Sequence, residues 1–189
     1  MIAYVFWHRP RDGVAPEQYE AACGRFHRSL AQHPPGGFAG SVCLAAEQLP
    51  WLGDGRLGYE DWYLLDDFGA LGTLNEAAVG RGHASPHDAA AVQMGEGTGS
   101  VYRLVDGLPR LEDTTHGIWI TPAPGKIDVV FEDLLVDGGE PGEATLWRRQ
   151  LALGPAPEFC VLARAVPDGV RATRLPVGWG AEEFSRAVV

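Results

Sequence analysis

The chain has 189 residues, 46% hydrophobic and 21% charged, with a formal net charge of −10. That size and balance fit a folded globular protein of one domain or two small fused halves. The negative average field repels phosphate backbones and anionic lipid, so neither nucleic acid nor a membrane surface is an expected partner. No segment is long and apolar enough to span a bilayer. The N-terminus, "MIAYVFWHRPRDG", has no basic leader ahead of an apolar run. Cys23, Cys43 and Cys160 are odd in number and set in apolar segments, which argues against a disulfide framework and for a reducing, cytoplasmic setting.

Residues 2–8, "IAYVFWH", are β-branched and aromatic without a breaker, and "RPRDG" closes them with turn chemistry; they predict a first strand. Its inward face is either Tyr4-Phe6-His8 or Ala3-Val5-Trp7. From Pro16 a helix is expected, with Tyr19, Ala22, Cys23, Phe26 and Leu30 on one stripe, His27 at its border, and an end at "HPPGG". "FAGSVCLAAEQL" reads as a strand and "PWLGDGRLG" as a loop or wide hairpin. "YEDWYLLDD" reads as a strand with Tyr59, Asp61, Tyr63 and Leu65 on one face and Glu60, Trp62 and Leu64 on the other.

Asp66-Asp67 then opens a helix that places Phe68, Leu71, Leu74 and Ala78 at helical spacing. "SPHDAAAVQM" gives a second helical piece, "GEGTGS" a turn, and "SVYRLVDG" a closing strand. The order is βαββαβ, the ferredoxin-like or split-βαβ arrangement within an α+β class.

The remainder repeats this pattern in degenerate form. "HGIWITPAPG" is another Trp-containing strand ended at proline, and "KIDVVFEDLLVDG" is a short helix or a strand. "ATLWRRQLALGPAPEFCVLARAV" reads as two strands around "GPAP", and "VRATRLP" as a last strand ahead of "AEEFSRAVV". No segment corresponds to the second helix. The expected organisation is a ferredoxin-like half at 1–107, a linker at 108–116 and a degenerate second half at 117–189.

His83 and His87 stand four residues apart in "GRGHASPHDAAAVQM". Ser85-Pro86-His87-Asp88 fits a capping box, with Ser85 at N-cap and Pro86 at N1, so His83 falls off the helix and the pair does not form an i,i+4 metal motif. Either histidine is a candidate proton-transfer group; at the second helical position His87 would lie near the positive end of the dipole. No zinc spacing, calcium loop, phosphate cradle or nucleophile elbow occurs. No metal is called for. Four tryptophans, Trp7, Trp62, Trp119 and Trp147, fall within strands; they either fill a large core or line a pocket for a flat ligand.

The run "YEDWYLLDDFGALGTLNEAAV", an aromatic strand passing through paired acids into a helix, resembles the dimeric α+β barrel superfamily, which includes antibiotic-biosynthesis-monooxygenase-like, EthD-like and chlorite-dismutase-like proteins. The resemblance covers about residues 2–107. It implies two ferredoxin-like sheets closing face to face, either between two chains of a homodimer or between fused halves, with a cavity between each sheet and its helices. It further implies a cofactor-free, oxygenase-like enzyme or a non-catalytic ligand-binding or structural dimer of the same fold. In the oxygenase reading, His83 or His87 is catalytic, and Trp7, His8, Trp62, Tyr63, Asn75 and Arg81 contact a small aromatic or hydrophobic substrate. The haem-binding members use a histidine of the second half, where only His116 is offered; haem and flavin are left open.

Overall fold

The computed structural model describes residues 1–46, 49–52, 57–80, 82–113, 116–121, 144–152, 157–163 and 180–188. The first part runs β1 (Ile2–Pro10), α1 (Pro16–Gln32), β2 (Phe38–Ala46), β3 (Gly58–Leu65), α2 (Phe68–Val79), α3 (Ala84–Ala91) and β4 (Met94–Asp106). The second part contributes β5 (His116–Thr121), β6 (Ala144–Ala152), β7 (Phe159–Ala163) and β8 (Gly180–Val188). All pairings are antiparallel, and the strands close into a barrel in the order β1-β3-β2-β8-β5-β7-β6-β4.

Around that circle the first four strands stand as β4-β1-β3-β2 and the last four as β8-β5-β7-β6, the same order counted from each part's own start. The joints are β2 with β8 and β4 with β6. The barrel that the resemblance allows between two chains is therefore made within one. Closure pairs the sheet edges that would otherwise invite another strand.

Alternation along the strands sorts side chains into two cores. Inside the barrel lie Ala3, Val5 and Trp7 of β1, Trp62 and Leu64 of β3, Tyr102 of β4, Trp119, Trp147 and Cys160. Trp7 packs edge-on against Trp119 at 5.2 Å and Trp62 against Trp147 at 5.4 Å. Two of these indoles have hydrogen-bond partners in the interior, Trp7 donating to Glu60 Oε1 at 2.9 Å and Trp147 to Thr145 Oγ1 at 2.9 Å. Outside, the opposite faces of β1, β3 and β4 meet the helices through Ile2, Tyr63, Leu65 and Val101 against Phe26, Leu30, Ala70 and Leu74.

Helix α1 begins with Pro16 in its first turn and buries the expected stripe, and the Asp67 carboxylate caps α2 by accepting from Ala70 N–H at 2.9 Å. Three expectations need correction. Helix α3 starts at Ala84 with His83 as its N-cap and no side-chain cap bond. Ser85 is thus already inside the helix, and Pro86 sits in the first turn, where its missing N–H costs nothing. "GEGTGS" is not a turn but the first stretch of β4. Its Gly97 lies under the Phe6 ring and Gly99 under the Tyr4 ring, so bare backbone makes room for aromatics of the neighbouring strand. The last strand is Gly180–Val188; "VRATRLP" and "KIDVVFEDLLVDG" lie outside the described residues. Among the described residues no helix is long and apolar enough to cross a membrane.

Candidate functional site

Strand alternation sends Tyr4, Phe6 and His8 of β1 and Tyr59, Asp61 and Tyr63 of β3 toward the helices, and a cavity of about 600 Å³ opens between them and α1, α2 and α3. Phe26, Leu71, Leu74 and Met94 add apolar wall, and Asn75 and His87 stand on its helical side. The polar groups concentrate at the sheet end, where His8, Tyr19, Cys23, Asp61 and Tyr63 meet.

Asp61 organises that end. Its carboxylate accepts from Tyr63 O–H at 2.9 Å and faces His27 Nε2 at 3.0 Å and His8 Nε2 at 3.3 Å. The outer nitrogens are held too: His8 Nδ1 pairs with the Tyr19 hydroxyl at 2.7 Å, and His27 Nδ1 with Ser41 Oγ at 2.7 Å. Tyr63 stacks on the His27 ring at 5.2 Å, and Tyr59 on His8 at 5.8 Å. Cys23 of α1 and Cys43 of β2 lie against the same cluster with Tyr19 and Tyr59. Every member but the half-buried Ser41 is buried.

Charge sets the titration here. Burial by itself pushes the Asp61 carboxyl up, but the attraction of His8 and His27, with their hydrogen bonds, outweighs it and holds the group well below the ordinary carboxylate range. Burial first, and then the Asp61 charge, pushes the Tyr63 phenol up. The Cys43 thiol is raised by its hydrogen bond with Cys23, by burial and by Asp61. The Tyr19 phenol is raised mainly by burial and then by Cys23.

The residues singled out from sequence fall into different places. His8, Tyr63, Asn75 and His87 line the cavity. Trp7 and Trp62 point the other way, into the barrel. His83 is buried off the cavity and ties α3 to the end of α1, with Nδ1 on Ser29 Oγ at 2.8 Å and Nε2 on the His33 carbonyl at 3.1 Å. Arg81 lies outside the described residues. His87 has a half-exposed ring, its Nδ1 3.0 Å from Asp88 Oδ1, and it packs edge-on against Phe26.

The sequence sets Cys23 in the packing stripe of α1, His27 at its border, Cys43 in an apolar strand and Asp61 on one face of a strand, and marks none of them as a site residue. The signals were present. Cys23 and His27 are four apart on one helical face, Asp61 alternates with two tyrosines, and His8 shares a face with Tyr4 and Phe6. What no local pattern states is that three strands and a helix bring them to one point.

No protein-family model and no curated protein matches the sequence. Solved structures do match in fold. A provisionally assigned monooxygenase from Fusobacterium nucleatum subsp. nucleatum superposes with a TM-score of 0.64 at 10% identity, over 99% of this chain and 91% of that one. An anthrone oxidase-like protein gives 0.55 at 10% identity, over 100% and 91%. A provisionally assigned chlorite dismutase gives 0.55 at 11% identity, over 100% and 94%. The haem reading rests on His116, whose side chain lies outside the described residues; the cavity between sheet and helices belongs to the first half, and among the described residues no Arg or Lys lines it to pair with haem propionates. At these identities the likeness is one of fold alone, an α+β barrel with its helices outside the sheet.

Proposed function

We propose that the protein is an oxygenase-like enzyme whose substrate is a flat, largely apolar molecule carrying a hydroxyl or carbonyl oxygen, bound between the sheet and the three helices. The observation that carries this reading is the one-sided polarity of the cavity: aromatic and aliphatic walls with the polar side chains of His8, Tyr19, Asp61 and Tyr63 gathered at one end. Such a site rewards an apolar body and fixes its orientation through few polar contacts. His87 is the proton-transfer group of this reading. Asp88 holds its Nδ1, which leaves Nε2 to receive a proton from the substrate. Fold neighbours described as monooxygenase and anthrone oxidase-like support the reaction class. The same reading takes 1–107 and 117–189 as two fused copies joined by 108–116, which the repeated strand order supports.

The test uses neutral fused-ring phenols and quinols, with binding read by thermal shift and turnover by oxygen consumption, on wild type, Gly72→Leu and His87→Gln. Gly72 lines the cavity, and a Cβ placed there meets nothing within 4 Å. Leucine therefore fills the site while also raising helix propensity by about 1 kcal/mol. Binding should fall at least about tenfold without loss of stability, since the ligand would forfeit apolar contact of more than about 1.4 kcal/mol. Binding that Gly72→Leu leaves intact overturns the cavity assignment. Binding without oxygen consumption would make the protein a ligand carrier of the same fold, and turnover untouched in His87→Gln would remove that residue's role.

A further inference from the structure

The polar end of the cavity carries more donor atoms than substrate orientation requires. His8, Cys23 and Cys43 bring three possible ligand atoms within 4.8 Å of one another, and His27, Cys43 and Asp61 do the same. The two sets share Cys43. All five residues are buried, none more than 8% exposed. They come from four elements: His8 from β1, Cys23 and His27 from one face of α1, Cys43 from β2 and Asp61 from β3. We propose that this cluster is a binding site for one borderline-soft divalent ion of the zinc type, held by Cys23, Cys43 and His8 with a fourth ligand from Asp61 or His27.

Three features support it. The donor set is mixed thiolate, imidazole and carboxylate, the chemistry such ions select. Tetrahedral bonds of roughly 2.0–2.3 Å place ligand atoms about 3.5 Å apart, so side-chain rotations from the observed spacing close the site. The second feature is what the imidazoles leave open. His8 Nε2, His27 Nε2 and Asp61 Oδ1 are buried without a well-aligned hydrogen bond, although both ring nitrogens lie at ion-pair distance from the Asp61 carboxylate. Buried polar atoms without a bond are costly and uncommon; a cation bound by His8 and by Asp61 or His27 would satisfy two of the three. Third, the outer atoms are already fixed as an outer ligand shell would fix them: Tyr19 on His8 Nδ1, Ser41 on His27 Nδ1, and Tyr63 on Asp61.

The site borders the cavity, but the assignment concerns binding alone and stands whether or not an aromatic substrate is turned over. Zinc content is measured on protein as purified. The chelated protein is then titrated with Co(II), whose visible bands report tetrahedral geometry and whose near-ultraviolet charge transfer reports thiolate ligation. One equivalent should bind with both signatures. The charge-transfer band should disappear in Cys43→Ser, and Tyr19→Phe should weaken binding about 10- to 100-fold, as loss of an outer-shell partner does. Cys160→Ala, in the barrel interior, should change nothing. If Cys43→Ser does not fold, Cys23→Ser serves in its place, and the wild-type spectrum by itself decides whether thiolate is bound. Absence of stoichiometric binding, or a cobalt spectrum indifferent to Cys23 and Cys43, overturns the site. Phenol binding is measured on the chelated protein, so failure of the metal assignment leaves the substrate reading standing, and the reverse.

Discussion

Replacing Asp61 with asparagine tests the central claim about the cluster, that a buried carboxylate holds two imidazoles and a phenol together. The change keeps volume and one acceptor oxygen, so the 2.9 Å bond from Tyr63 can survive. What it removes is the charge and the second oxygen, Oδ1, which faces His27 Nε2 at 3.0 Å; the oxygen kept for Tyr63 is the one that faces His8 Nε2 at 3.3 Å. The amide nitrogen then takes the place of Oδ1 and presents N–H toward His27 Nε2, which has no other hydrogen bond. Breaking one side of a buried ion pair costs about 3–5 kcal/mol; because asparagine leaves no void, the low end applies, about 3 kcal/mol. For a chain of this size each kcal/mol moves the melting temperature by about 2–4 °C, which gives a fall of roughly 6–12 °C. The assay is thermal unfolding followed by circular dichroism at neutral pH on chelated protein, so that metal binding does not enter. A loss smaller than about 1 kcal/mol, the worth of an ordinary hydrogen bond, would refute the reasoning: Asp61 would then be a tolerated polar residue and not the organiser of the site.

Two further outcomes separate structural from functional residues. His83→Ala removes the bonds to Ser29 Oγ and the His33 carbonyl; it should cost about 2 kcal/mol in chemical denaturation while leaving affinity for cavity ligands unchanged, and an affinity loss with full stability would place His83 in the site after all. Gly97→Ala puts a methyl group into the space of the Phe6 ring, which lines the cavity; overpacking of this kind costs about 1–3 kcal/mol, and a neutral result in urea unfolding would show that the ring is free to move aside.

Much of this architecture is legible in the chain itself. Alternation fixes which face of β3 carries Tyr59, Asp61 and Tyr63, because successive side chains leave a strand on opposite sides whatever surrounds it. The 3.6-residue period likewise sets the buried stripe of α1, and Asp67 announces the start of α2, since a carboxylate there satisfies a backbone N–H that the helix leaves open. These are local consequences of backbone geometry, so sequence suffices for them. The failures are local too, but with distant causes. "GEGTGS" carries turn residues, yet Tyr4 and Phe6 of β1 require bare backbone beside them, and the segment becomes strand.

Position across the fold is another matter. His8, Cys23, His27, Cys43 and Asp61 are separated by up to 53 positions in the chain, and nothing in any one segment marks them as neighbours. The order β4-β1-β3-β2 sets β1 and β2 on either side of β3. α1 crosses over that surface with His27 reaching Asp61 and Ser41. The same closure decided what the tryptophans are for: once the second set of strands covers the inner face of the first, Trp7 and Trp62 are sealed into a core with Trp119 and Trp147 and cannot meet a ligand on the helical side. Sequence by itself determined the elements and their faces, because those depend on backbone period and side-chain direction. Only the tertiary structure decided which faces meet, and so moved the polar centre from the histidines of α3 to a buried carboxylate on β3.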